Sequence, residues 1–263
     1  MNQHQVKNYK ATGFLRILRA GIIPLLLTGM LSGCFFSKTP EEFGNKEIVK
    51  TNQDKEGQSL VLHFKKGREH NFPLMAIWIE DTTGKYIETL YVAESIGTGI
   101  FNYGESEKGK WKPGEIRRPA ALPYWSHKRG IKAADGLFLP TPENPVPDAI
   151  TGETPLNDFD LYTKISEKVP DDFYVLFEIN QTWDFNEYWT NNKFPDNEEY
   201  KTSCQPAVVY RTKIDKDQKP AGTLEAIGHS HYAGENGQLY PDLSTLTTAL
   251  EIAEEIRVEF KRP

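Results

Sequence analysis

The stretch from Pro73 to Ala93 constrains the fold more than any other part of the chain. Pro73 to Glu80 reads Pro-Leu-Met-Ala-Ile-Trp-Ile-Glu, with Met75, Ile77 and Ile79 recurring at the two-residue period of a strand face. Asp81-Thr82-Thr83-Gly84 supplies a tight turn, because glycine takes the positive dihedral that hairpin turns need. Tyr86 to Ala93 then returns as the partner strand. Similar short strands are predicted at Leu60–Phe64, Phe173–Asn180, Pro206–Lys213, Thr223–His229 and Ile256–Phe260. Helical spacing appears only at Leu243–Ala253, where Leu243, Leu246, Leu250 and Ala253 recur every three or four residues. A second short helix falls within Arg117–Lys128, curtailed by Pro119 and Pro123. Many short strands without long intervening helices predict an all-β fold: one antiparallel β-sandwich-like domain with short helices.

The N-terminal residues are read separately from that domain. Lys7, Lys10, Arg16 and Arg19 precede an apolar run, Ala20 to Leu31, with no acidic residue before Cys34. The run is shorter than the ~20 residues a membrane-spanning helix needs and matches the core of a signal peptide. Leu31-Ser32-Gly33-Cys34 follows. It resembles the bacterial lipoprotein lipobox, which implies cleavage before Cys34 and acylation of its thiol. Residues 1–33 are thus expected to be a lipoprotein signal peptide. Residues 34–58, polar and without a clear period, are expected to be a flexible tether, and 59–263 the envelope domain.

Charge narrows the partners. Removing the four leader cations takes the formal charge from -6 to -10. An acidic surface excludes nucleic acid and disfavours electrostatic binding to anionic lipid. Attachment to a bilayer therefore falls to the lipid on Cys34. The chain has two cysteines; with Cys34 acylated, Cys204 has no disulfide partner and is expected to be a buried apolar filler.

The proline-bounded loop around Asp148-Ala149-Ile150-Thr151-Gly152-Glu153-Thr154 carries the sharpest functional signal. It resembles the acceptor motif of covalently flavinylated bacterial proteins: aspartate, two residues, serine or threonine, glycine, alanine, threonine. That resemblance implies FMN joined to Thr154 through a phosphoester, with Asp148 and Gly152 contributing to recognition. Glu153 departs from it, standing where the motif has alanine.

Two other groupings bear on function. His229 and His231 sit two residues apart and would share a strand face, a geometry that suits a metal if His127, Asp242 or Glu235 supplied a third ligand. Trp183, Phe185, Tyr188 and Trp189 alternate with Asp184, Asn186 and Glu187. This aromatic stretch could anchor a loop or form a ligand platform; without a glycine it is not an EF-type calcium loop. No serine-hydrolase elbow, phosphate-binding loop or dinucleotide fingerprint is present.

Several blocks together look like the predicted periplasmic protein family catalogued as domain of unknown function 2271. They are Met75–Asp81 with Gly84 and Thr89-Leu90, Arg118-Pro119, Leu122–Trp125, and Asp148–Pro155. Glu178–Asn180 with Asp184–Tyr188, Gln205-Pro206 with Tyr210, Ile227–Ser230, and Thr245–Ala249 complete the set. The resemblance implies an exported protein, some of whose relatives accompany flavin-transfer and membrane redox systems; it implies no catalytic residues. The expected function is a non-enzymatic binding or accessory module of the bacterial envelope, possible partners being envelope redox or flavin-transfer proteins. The alternatives are an electron carrier with FMN on Thr154 and a metal-dependent enzyme using His229 and His231.

Overall fold

A computed structural model describes residues 46–147 and 150–261. Two sheets lie face to face. In spatial order the first comprises β1 (Glu47–Thr51), β8 (Phe159–Lys164), β2 (Ser59–Lys66), β13 (Ala253–Lys261) and β11 (Ala221–Thr223). The second comprises β12 (Glu225–His229), β10 (Val208–Asp215), β9 (Asp172–Asn180), β3 (Leu74–Asp81), β4 (Tyr86–Ala93) and β7 (Thr151–Gly152). Neighbours are antiparallel except at one edge of each sheet, where β1 runs parallel to β8 and β7 parallel to β4. The fold is the β-sandwich that the short alternating strands predict.

The main core lies between the sheets. Leu60, Leu62 and Phe64 of β2 face Met75, Ile77 and Ile79 of β3 across it, all fully or almost fully buried. Phe64 stacks on Phe159 at 4.9 Å and on Phe177 at 5.7 Å between ring centroids. The second sheet is buried on its other face too. Ala76 and Trp78 of β3, Leu176 of β9 and Val209 of β10 form a second core there. A cap covers it, built from α1 (Glu94–Thr98), the hairpin β5 (Ile100–Glu107) and β6 (Lys110–Glu115), and α2 (Pro123–Arg129). Burial on both faces explains why β3 is apolar at nearly every position rather than alternating.

Glu178 of β9 fastens this cap. Its side chain is buried, and its two carboxyl oxygens accept the backbone N–H groups of Tyr124 (3.1 Å) and Trp125 (2.7 Å) in the first turn of α2. Pro123 starts the helix, where its missing N–H costs nothing, and Gly130, at φ 74°, ends it. α2 has no side-chain cap of its own at its start, so a sheet residue satisfies two of its free amides. Around this node Trp125 Nε1 donates to Thr89 (2.9 Å), Trp78 Nε1 donates to buried Glu80 (2.9 Å), and Lys128 bonds Glu80 and the Gly84 carbonyl.

Two expectations need correction, and some elements were missed. The tether predicted over 34–58 ends sooner, because Glu47–Thr51 is a strand inside the sheet. Thr51 bonds the Leu90 carbonyl and Asn52 bonds Thr163. As an edge strand it turns only Val49 and Thr51 inward, too few apolar residues to announce it. The helix predicted over Leu243–Ala253 is instead a chain of turns with a 3-10 turn at Ala249–Glu251. Leu246, Ala249 and Ile252 do bury, but Thr245, Thr247 and Thr248 direct hydroxyls or carbonyls to Asn186, Asp184 and Gln205. Such side-chain bonds compete with helix formation. The hairpin β5–β6 and strand β8 were not predicted, since polar residues break up the apolar alternation along them. Residues 1–45, with the signal-peptide and Cys34 readings, lie outside the described residues. No helix among the described residues is long and apolar enough to cross a membrane.

Two neighbours on β9 separate the two layers experimentally. Phe177→Ala should cost about 3–5 kcal/mol in urea unfolding, because it empties the inter-sheet core. Burial pushes the Glu178 carboxyl from the ordinary carboxylate range up to about 8, against the pull of the two amides. The folded state therefore holds a proton that the unfolded chain releases. That stabilisation is complete below the unfolded pKa and is lost as pH rises through about 8. Stability should fall between about pH 5 and about pH 8 by at most about 1.4 kcal/mol per unit. Glu178→Gln should flatten that slope while lowering stability overall, since its amide N–H₂ faces a backbone donor.

A candidate ligand cleft around Thr154

Thr154 stands just past β7, the two-residue strand that pairs with Val92 and Ala93 at the sheet edge. The loop is held on both sides of the threonine. Before it, the Tyr91 hydroxyl donates to the carbonyls of Gly152 (3.2 Å) and Glu153 (2.8 Å). After it, Glu47 Oε1 accepts from the backbone amides of Leu156 (2.8 Å) and Asn157 (2.9 Å) and from Asn157 Nδ2 (3.1 Å). Gly152 is not a loose hinge: a Cβ there would meet the Tyr91 ring at 3.2 Å. Asp148 lies outside the described residues.

Thr154 lines an open cleft of about 1050 Å³, large enough for a cofactor-sized molecule. Phe101 and Leu74 form buried parts of its wall. Phe72, Tyr103 and Leu156 stand exposed around it, Phe72 at 66 % of its surface and Tyr103 at 49 %. Phe72 has φ 50° although it precedes Pro73. Positive φ is strained in a bulky residue, at a cost on the order of 1–3 kcal/mol. The backbone thus holds a large apolar ring in water in an unfavourable conformation, a combination that core packing does not explain. The Thr154 hydroxyl makes no hydrogen bond to any described residue, and Thr154 is among the residues that line the cleft. Three carboxylates share the cleft: Glu47, which is engaged as above, with Glu94 and Glu153.

Sequence alone pointed to Thr154 but missed Phe72, Tyr103, Phe101, Leu156 and Glu47, which come from four separate chain segments. The local signal was an aromatic beside Pro73; its exposure depends on the tertiary fold.

The structure brings no third ligand to the two histidines among the described residues. Among the described residues no group of three or more His, Cys, Asp or Glu could hold an ion. His231 Nδ1 accepts the amides of Ala233 (3.2 Å) and Glu235 (3.4 Å), so that lone pair is taken and Nε2 carries the proton. His229 Nδ1 lies 2.7 Å from the Ser230 carbonyl, which makes it a donor, and its ring stacks on Tyr240. Burial first, then the charge of nearby His231, lowers the His229 pKa, opposed by the Ser230 carbonyl and Asp242. Of the proposed third ligands, His127 bonds the Pro123 carbonyl, Asp242 bonds Ser244, and Glu235 lies 4.0 Å from His231 Nε2. The pair belongs to an aromatic cluster with Trp189, Phe194, Tyr200 and Tyr232.

The aromatic stretch divides. Trp189 is buried in that cluster, whereas Trp183, Phe185 and Tyr188 are exposed. Asn186 fixes the loop. Its Nδ2 donates to Gln205 (2.9 Å), the Thr245 carbonyl (2.7 Å) and Thr247 (2.9 Å), and its Oδ1 accepts the amides of Tyr188 (2.9 Å) and Trp189 (2.7 Å). Cys204 is buried, and its thiol is pushed up to about 12 by that burial and by nearby Asp184, which disfavours the reactive thiolate.

No protein-family model matches the chain. No curated protein matches it in sequence.

Asn186→Ala should remove the loop's anchor. We expect a loss of roughly 2–3 kcal/mol, the order of a few net hydrogen bonds. Hydrogen exchange should speed up at Tyr188 and Trp189 with little change in β9.

Proposed function

We propose that the domain is a non-enzymatic binding module of the bacterial envelope whose Thr154 cleft receives a planar aromatic ligand of the flavin type. The observation that carries this reading is the placement of an unengaged hydroxyl on the wall of a large cleft edged by two exposed aromatic rings. Such rings offer stacking faces to a flat heterocycle. The lipobox-like Leu31–Cys34 supports placing the module at a membrane, held by acylated Cys34. Partners on this reading are envelope redox or flavin-transfer proteins.

The free hydroxyl favours a second reading, covalent attachment. A flavin dinucleotide is a suitable donor. The Thr154 oxygen would attack the flavin-side phosphorus, the phosphoanhydride bond would break, a nucleoside monophosphate would leave, and a transferase base would take the hydroxyl proton. Glu94 and Glu153 disfavour an anion inside the cleft, so the ring would lie inward and the phosphate toward solvent. The flavin would then carry electrons for its partners without the domain performing chemistry of its own.

The test is the intact mass of protein produced beside a flavin transferase. The expected gain is one flavin mononucleotide less water, absent in Thr154→Ala. Unmodified protein under those conditions would remove the covalent reading. Independently, riboflavin fluorescence should be quenched on titration with unmodified protein, and Phe72→Ala with Tyr103→Ala should weaken binding about tenfold or more. Riboflavin that stays unquenched would remove the binding reading. Cys34→Ala should shift the protein from the membrane fraction to the soluble one.

A further inference from the structure

The hairpin β5–β6 is anchored only at its root. There Phe101 is buried in the second core, and a Cβ on Gly104 would collide with the Gly114 backbone, so the two strands close tightly. Beyond the root, residues 105–113 are all exposed. Glu105 stands opposite Lys112, Ser106 opposite Trp111 and Glu107 opposite Lys110. Lys108 (φ 51°) and Gly109 (φ 76°) form the two-residue turn, both in the left-handed region that tight hairpins use. The result is an arm with neither face covered. A free two-stranded hairpin is marginal in water, so packing does not explain its length.

The two faces of the arm differ. Strand alternation puts Glu105, Glu107, Lys110 and Lys112 on one face, where Lys112 bridges Glu105 (3.2 Å) and Glu107 (3.5 Å). The other face presents Trp111 beside Ser106. Trp111 is 73 % exposed, more than any other large apolar side chain among the described residues. Lys108 and Lys110 pair with no described carboxylate. The tip of an arm on an acidic chain thus offers an indole and two free cations. Its position is also informative. Glu47, the first residue of β1, lines the Thr154 cleft together with Asn102 and Tyr103 of β5. The start of the described chain and the root of the arm therefore lie on the same side of the domain. Lys46 follows Cys34 by twelve positions, a stretch that spans at most about 40 Å.

We infer that the β5–β6 arm docks on the surface of the bilayer, with Trp111 in the headgroup zone and Lys108 and Lys110 on anionic headgroups. This rests on the reading of Cys34 as a lipid anchor, which keeps the domain within reach of that surface. Indole rings favour the boundary between headgroups and acyl chains, and lysine reaches from there to phosphate. Protein interfaces are depleted in lysine, so the same tip suits a protein partner less well. The acyl chains supply attachment and the arm supplies orientation. Because the arm and the Thr154 cleft share Asn102 and Tyr103, docking would hold that cleft beside the membrane.

The test uses the mature, acylated protein in vesicles of phosphatidylethanolamine and phosphatidylglycerol, with and without bromine on the acyl chains near the headgroup. Trp183→Phe removes the other exposed indole, and Trp78, Trp125 and Trp189 are buried. The Trp111 share of the emission, obtained by difference from Trp111→Ala, should shift to shorter wavelength and be quenched about twofold by the brominated lipid. Lys108→Glu with Lys110→Glu should restore most of that emission. Sedimentation with the vesicles tests the anchor by itself. Protein that sediments with Trp111 unquenched would overturn the inference and leave the anchor standing. Quenching unchanged by the charge reversal would overturn it as well. So would a Trp111 shielded from acrylamide but not from brominated lipid-free vesicles, which would assign the arm to a protein surface. Protein that stays off the vesicles would remove the anchor and the inference together.

Discussion

A carboxyl group with no access to water holds the third layer of this domain onto its second. Glu178 could not be buried alone, because desolvation of an unsatisfied acid is too costly. The two amides at the start of α2 could not be buried alone for the same reason. Each resolves the other's deficit, so β9 and α2 are placed together or not at all. Trp125, Trp78, Thr89, Glu80 and Lys128 then complete a polar node within an apolar layer, each with a partner. Because the node has polar atoms at fixed positions, it sets the register of the cap on the sheet. Hydrophobic burial alone would leave that cap free to slide.

The cap borders the largest of the domain's described recesses. Residues of α1 and β5 form one side of the Thr154 cleft, and the end of β6 with the stretch after α2 lines another recess of about 490 Å³. The sandwich beneath is a support whose strands are filled by their own side chains. A fold with a rigid two-sheet base and one added layer can change the layer's loops while leaving the base intact, which is the usual division of labour between scaffold and site.

What the sequence disclosed follows from how local each signal is. The β3–β4 hairpin was legible because its apolar run and its Asp-Thr-Thr-Gly turn are contiguous. β9, β10 and β13 were legible for similar reasons. β1 was not, because an edge strand with one apolar residue facing inward looks like a solvated tether. The 243–253 segment misled because Leu and Ala recur at helical spacing, while the threonines between them are engaged by Asn186, Gln205 and Asp184, residues some 40 to 60 positions away. Thr154 stood out through a short motif. Phe72 and Tyr103, roughly thirty residues apart, meet at one cleft only through tertiary packing.

The loop that carries Thr154 is suspended from two fixed points, the Tyr91 hydroxyl before it and the Glu47 carboxylate after it. Ordering a backbone residue ordinarily costs about 1–2 kcal/mol. Here folding has already imposed that order, so a visitor to the cleft meets a stiff bridge instead of a slack rope. Affinity there depends on how well shapes and faces match, and arrival need not wait for the chain to organise itself. The same stiffness sets a limit: a guest of the wrong outline cannot be accommodated by a loop that has nowhere to yield.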